Sequence, residues 1–257
     1  MSDKNIMDQF KLDGKVAIVT GSSRGLGQGM AIGMAEAGAD IACVDINNMD
    51  ETVEKVEELG QNAIQIKADL SSKEPIDEII ERTDQELGRI DILLNNAGII
   101  RRDPVTEFSE EDWDDVMDIN IRTVFFLSQS VANYLIDQGE GGSIINIASM
   151  LSFEGGIKVP SYTASKSAVN GLTKEMANEL AEYDINVNAI APGYMATANT
   201  APLREDPERS KAIADRIPVG RWGKPEDLKG AAVFLASDAS NYMQGYTVAV
   251  DGGWLAR

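Results

Sequence analysis

Short runs of aliphatic and β-branched residues alternate with longer stretches of helical periodicity from one end of the chain to the other. Residues 15–20, 39–45, 63–67, 91–95, 143–149, 185–191 and 247–250 read as strands, because their apolar character suits burial on both faces of a sheet. Between them, residues 25–38, a stretch ending at residue 59, and residues 72–87, 110–138, 161–182 and 225–236 read as helices. Strands alternating with helices of this length predict βαβ units with right-handed crossovers. The expected fold is therefore α/β: a single Rossmann-type, doubly wound parallel sheet of about seven strands, with helices on both faces. No repeat, low-complexity tract or linker interrupts the pattern, so residues 1–257 are expected to form one domain. Residues 193–224 are the least regular stretch, with Pro202, Pro207, Pro218 and mixed charge. They follow the sixth strand at the carboxyl edge of the sheet, where a substrate lid is expected.

Composition narrows the chemistry. The chain has no histidine, which removes Ser-His-Asp and Cys-His catalysis and any histidine-ligated metal. Cys43 is the only cysteine, so neither an intrachain disulfide nor a thiolate zinc cluster can form, and its apolar surroundings predict core packing. No metal site is expected. The net charge of −19 argues against nucleic acid or an anionic membrane as partner. Residues 1–16 show no signal-peptide pattern and no apolar run is long enough for a membrane helix, so a cytoplasmic location is the expectation. Tyrosine, lysine and carboxylates remain as acids and bases.

The turn after the first strand reads Thr20-Gly21-Ser22-Ser23-Arg24-Gly25-Leu26-Gly27. Glycines there let backbone approach a pyrophosphate while a helix N-terminus faces the anion. Gly21, Ser23, Arg24, Gly25, Leu26 and Gly27 are thus candidate dinucleotide contacts. Asp45 ends the second strand, where a carboxylate accepts hydrogen bonds from ribose hydroxyls and opposes a 2′-phosphate. It predicts NAD in preference to NADP, with Arg24 pulling the other way. Asp69 and Leu70 follow the third strand; Asp69 either meets the adenine or closes a turn. Asn96, Ala97 and Gly98 after the fourth strand allow backbone to run beside a cofactor. Asn120 is an unfavourable residue inside the long helix; it is either solvated or breaks the helix so that a carbonyl holds a water leading to Lys166.

Tyr162 and Lys166 stand four apart and share a helical face. A nearby ammonium favours the phenolate, and Ser149 at the end of the preceding strand could hold a carbonyl oxygen against the tyrosine. The set suits proton transfer to or from an alcohol while a hydride moves.

With these motifs in this order, the chain resembles the short-chain dehydrogenase/reductase family over essentially its whole length. The resemblance implies that Tyr162 is the acid/base, that Lys166 lowers its pKa and binds the nicotinamide ribose, that Ser149 orients the substrate oxygen and that Asn120 supports a relay water. It also implies that Pro192, Gly193 and Thr197 border the nicotinamide, and that the protein forms a homotetramer. Residues 97–102, 147–153, 191–197 and 250–257 are similar to a subgroup that acts on sugar acids released from pectin-type uronates. That likeness implies NADH-dependent, reversible reduction of 3-deoxy-D-glycero-2,5-hexodiulosonate to 2-dehydro-3-deoxy-D-gluconate. A sugar acid needs a cation, and Arg101, Arg102 and Arg204 are candidates, beside Ser149, for substrate contact. Competing readings are a gluconate 5-dehydrogenase or other polyol dehydrogenase, a 3-oxoacyl-acyl-carrier-protein reductase, and a non-catalytic nucleotide sensor. The acidic surface disfavours an acidic carrier protein as partner, and an intact set of four site residues disfavours the sensor.

Overall fold

The computed structural model describes residues 5–257. Seven strands, β1 (Val16–Thr20), β2 (Asp40–Asp45), β3 (Ala63–Lys67), β4 (Ile92–Asn95), β5 (Gly142–Ile147), β6 (Ile185–Pro192) and β7 (Thr247–Val250), form one sheet in the order β3-β2-β1-β4-β5-β6-β7. Every neighbouring pair is parallel. Because side chains alternate across a strand, each strand feeds both faces. Ala17, Val19, Ile41, Cys43, Ile92 and Leu94 pack with Met30 and Met34 of α1 (Gly25–Glu36), Val56 of α2 (Asp50–Glu58) and Leu228, Ala232 and Leu235 of α9 (Glu226–Ala236). Ile18, Ala42, Val44 and Leu93 face the other way. They meet Ile79 of α3 (Ile76–Leu87), Leu127, Val131 and Leu135 of α5 (Thr123–Gln138), and Met176 of α6 (Pro160–Leu180). Fully burying each such side chain is worth about 1.5–3 kcal/mol, so two apolar layers clamp the sheet. β1 lies between β2 and β4, and the chain direction of winding reverses there. The crevice outside the carboxyl ends of these strands is the position such sheets use for ligands.

Cys43 is fully buried, and burial pushes its thiol up to about 12 against a small opposing contribution from Ser22. At the amino edge of the sheet Asp91, 2% exposed, accepts hydrogen bonds from Val16 N–H, Lys15 and Arg89, the last through two nitrogens. Among the described residues no helix is long and apolar enough to cross a membrane.

Three elements differ from the sequence expectation. The helix expected from residue 72 begins at Ile76, because Pro75 occupies the N-cap and Asp69 and Ser72 hold the preceding backbone in local turns. The helix expected over 110–138 is α4 (Glu110–Met117) joined to α5 by a π-turn, Asp118–Arg122, in which Thr123 N–H reaches back to Asp118 O. The stretch 193–224 contains two helices, α7 (Ala201–Glu205) and α8 (Pro207–Arg216). Pro202 and Pro207 stand in the first turns of these helices, where a missing N–H costs nothing, whereas Pro218 lies just beyond α8. Asp206 caps α8 by accepting from Arg209 N–H at 3.0 Å.

Candidate active site

The turn from β1 into α1 uses its glycines for different ends. A Cβ on Gly27 would stand 2.1 Å from Gly21 O, and one on Gly21 would stand 2.7 Å from Asn96 Nδ2. Both positions are closed by packing against the chain itself. Gly25 adopts φ +61°, and a Cβ there would meet only Thr197 Cγ2, at 3.9 Å. It therefore leaves a cleft between the start of α1 and Thr197. Arg24 at the N-cap supplies no side-chain hydrogen bond, and the first turn carries no acidic residue. The first N–H groups of α1 thus face that cleft without a capping side chain, as an anion site requires.

Asp45, at the end of β2, is nearly buried. Burial alone would raise its carboxyl, but hydrogen bonds from Asn47 N–H and side chain and from Ser23 N–H outweigh it and hold the group below its usual value. It is a carboxylate beside the glycine turn, and it fixes Ser23. Asp69 accepts from Ser71 N–H at 2.9 Å, which makes the turn. The Leu70 carbonyl takes a hydrogen bond from Thr123 of α5. Asn96 donates through Nδ2 to Thr20 O and Gly21 O, and Asn96 and Ala97 N–H both donate to Thr20 Oγ1. The strand-ending Thr20 thus ties β4's continuation to the glycine turn; nothing in its periodicity marks it.

Asn120 is fully buried in the π-turn. Its side chain accepts from Ile99 N–H and donates to Ile99 O, both at 2.9 Å, and reaches Ser165 Oγ at 3.2 Å. Gly98 permits this approach, since a Cβ there would stand 3.0 Å from Asn120 Oδ1. Ser149 follows β5 and caps a short 3-10 turn (Met150–Ser152), accepting from Leu151 N–H. Ser152 accepts from Ser149 N–H and donates to Lys166 O, locking that turn to α6. Tyr162 lies in the first turn of α6, after Pro160, and Lys166 follows one turn on. Lys166 Nζ donates to Ile147 O at 2.7 Å and lies 5.8 Å from the centre of the Tyr162 ring.

Electrostatics depart from the expectation. Burial raises the Tyr162 phenol, and the groups that oppose it are Ser149 and Arg102, not Lys166. Lys166 is itself lowered to about 8, because it is 4% exposed.

The candidate substrate arginines separate. Arg101 is engaged by two carboxylates of α4, Asp112 at 3.1 Å and Asp115 at 2.9 Å. Arg102 acts on Tyr162 and, among the described residues, bonds only a carbonyl, Asn199 O at 3.0 Å. Arg204 donates to Thr197 O. Pro192 closes β6, and Gly193 lies so close to Asp251 that a Cβ would stand 2.6 Å from its Cα. Beyond Tyr162 the wall is aromatic, and periodicity did not reveal it. Tyr194 meets Trp254 edge-on at 4.8 Å and Trp222 at 5.4 Å, Arg216 stacks 3.7 Å over Trp254, and Glu154 accepts from Trp254 Nε1. Only the tryptophans near the end of the chain could have signalled it.

The arrangement provides an anion-binding helix start, a carboxylate at the adjacent strand end and a tyrosine-serine pair opening on a cationic mouth. The family model adh_short_C2, described as Enoyl-(Acyl carrier protein) reductase, matches residues 21–255. The chain belongs to the short-chain dehydrogenase/reductase family, and it is an oxidoreductase fold with the site at the carboxyl edge of the sheet. It is similar to the 2-dehydro-3-deoxy-D-gluconate 5-dehydrogenase of Dickeya dadantii (strain 3937), 62% identical over 252 residues that cover 98% of this chain and 100% of that one. The protein of the same name from Escherichia coli (strain K12) is 61% identical over the same shares. Among solved structures, a gluconate 5-dehydrogenase from Burkholderia cenocepacia J2315 in complex with NADP and tartrate superposes with a TM-score of 0.93 at 40% identity, covering 98% of this chain and 100% of that one.

Proposed function

We propose that the protein interconverts 3-deoxy-D-glycero-2,5-hexodiulosonate and 2-dehydro-3-deoxy-D-gluconate with a nicotinamide dinucleotide. The observation that carries the reading is the Ser149–Tyr162 pair with a carboxylate-free Arg102 at its mouth, together with similarity near 62% to relatives of that name. Bound dinucleotide supplies the hydride. The open cleft at Gly25, the uncapped start of α1 and Thr197 opposite would hold its phosphates and nicotinamide end, while Asp45 would take the ribose hydroxyls. Ser149 holds the substrate oxygen, Tyr162 gives that oxygen its proton on reduction and takes it back on oxidation, and Lys166 would hold a ribose of the bound dinucleotide and restore the proton through a water near Asn120. Arg102 receives the substrate carboxylate in bidentate geometry. Arg101, spent on Asp112 and Asp115, holds α4 instead. Residues 193–224 serve as the lid of a single domain.

Asp45 favours NAD, as a buried carboxylate held ionised repels a 2′-phosphate. NADP is the second reading, because the Arg24 side chain has no partner among the described residues and the Burkholderia relative was solved in complex with NADP. A gluconate 5-dehydrogenase activity is the substrate alternative, supported by that same relative. A homotetramer in the cytoplasm is the assembly and location we expect. Initial rates with NADH and NADPH on the deoxy-diketo acid and on 5-keto-gluconate test all of this. Fast NADH oxidation on the former is the expected result; preference for 5-keto-gluconate moves the substrate, and dinucleotide binding without turnover on either overturns the enzyme reading.

A further inference from the structure

Helix α8 carries Arg209, Ile213 and Arg216 at intervals of four and three, a single helical face. Ile213 at its centre is turned inward, while Arg209 and Arg216 on either side of it stay exposed. Ile213 is 3% exposed and packs with Met150, Ile217 and Trp254 in a cluster that Tyr194, Leu203 and Trp222 border. Arg216 stacks on Trp254 from the same face, and Trp254 in turn abuts Tyr194. Arg209, one turn earlier on the stripe, stands exposed at the edge of the cluster that Tyr194 borders. The charges bear this out: of the four that act on the Tyr194 phenol, Arg209 acts most strongly, followed by Glu154, Arg216 and Arg102.

These cations are not equally free. Arg216 has Glu154, 3.4 Å away, which also accepts from Trp254. Arg102 bonds the Asn199 carbonyl. Asp206, the N-cap of α8 three residues before Arg209, is spent on the Arg209 backbone N–H, and no ion pair joins Glu208 to the Arg209 side chain among the described residues. Among the described residues no carboxylate or carbonyl pairs with the Arg209 guanidinium. Three arginines and one glutamate thus act on one phenol, in a chain whose net charge is −19. A local excess of this sign in an acidic protein focuses anions.

We propose that Arg209 is a lid-borne specificity residue that meets the substrate carboxylate opposite Arg102, so that a sugar acid bridges the lid and the floor of the site. The inference rests on the sugar-acid reading above and adds what selects the acid. Arg102 rises from the segment after β4 and already touches Asn199 of the lid, while Arg209 descends from α8 itself. A carboxylate between them satisfies both guanidinium groups at once. A neutral sugar leaves Arg209 unpaired, which gives the site a reason to discriminate rather than only to bind.

Calorimetric titration of the NADH-saturated enzyme with D-gluconate, and with sorbitol as its neutral counterpart, tests the proposal. Wild type should bind gluconate more tightly than sorbitol. Arg209→Gln should shrink that ratio about 10–100-fold, the range for hydrogen bonds to a charged group, and Arg209→Lys should restore part of it. Raising the salt concentration should narrow the ratio in wild type more than in Arg209→Gln. An unchanged ratio in Arg209→Gln, with wild type still preferring gluconate, overturns the role of Arg209 and leaves the sugar-acid reading standing. Wild type that does not distinguish the two ligands overturns both.

Discussion

Tyr162 and Lys166 put opposite demands on the same few cubic ångströms. A phenol whose proton is held by burial and loosened by Arg102 is stored as an acid, ready for reduction. Tyr162→Phe should retain dinucleotide binding and lose turnover by about 10³-fold, within the range for general acid catalysis; near-normal rates would remove it from the reaction. Lys166 is a buried ammonium with one carbonyl partner and no carboxylate. Its fall from 10.5 to about 8 corresponds to about 3 kcal/mol spent on keeping the charge at neutral pH. Lys166→Met should therefore lose activity yet melt no lower than wild type at pH 7. Between about pH 8 and 10.5 the unfolded chain keeps a proton that the folded wild type has released. Wild-type stability relative to Lys166→Met should rise with pH through that window and stay level below it. Parallel melting curves of the two proteins from pH 7 to 10.5 check the sign.

At the scale of elements, the glycine turn divides into parts that hold the fold and a part left open, where we place the ligand. Gly27→Ala places a methyl group on Gly21 O and should cost several kcal/mol, enough to abolish soluble expression. Gly25→Ala meets no atom closer than 3.9 Å and carries only the strain of positive φ, about 1–2 kcal/mol. It should fold, as circular dichroism would show, and bind dinucleotide at least tenfold more weakly; equal binding would place the phosphates elsewhere. The strands and their order were legible because burial on both faces leaves a continuous apolar run and a parallel sheet admits few connections. The π-turn was legible only as an ill-placed Asn120, since its reason lies in Ile99, 21 residues away. The helices of the lid were not legible: Pro202 and Pro207 look the same in a breaker as in a first turn, and Asp206 decides which. The Tyr162–Lys166 spacing was readable, but not that Arg102 would be the charge that reaches the phenol, because that depends on how the segment after β4 returns across α6.

For the molecule as a whole, residues 193–224, the proposed lid, are held by segments far from them in sequence. Gly252 and Gly253 pass against Ile217 and Pro218, and Trp254 joins α8 to the Ser149 turn through Arg216 and Glu154. Trp254→Ala removes these contacts together. It should lower the melting temperature by about 10 °C, from the usual cost of such a truncation and the slope expected for a chain of this size. It should also raise KM for the acid more than it lowers kcat; the reverse split would mean that Trp254 acts on the chemistry rather than on the lid. Finally, the single cysteine lies beneath α1 and α2 with its proton held to about pH 12. The native protein is thus silent to thiol reagents, so a cysteine introduced at exposed Lys211 on α8 would be its one addressable atom. A fluorophore attached there would report the opening and closing of the lid in solution, against a background of zero.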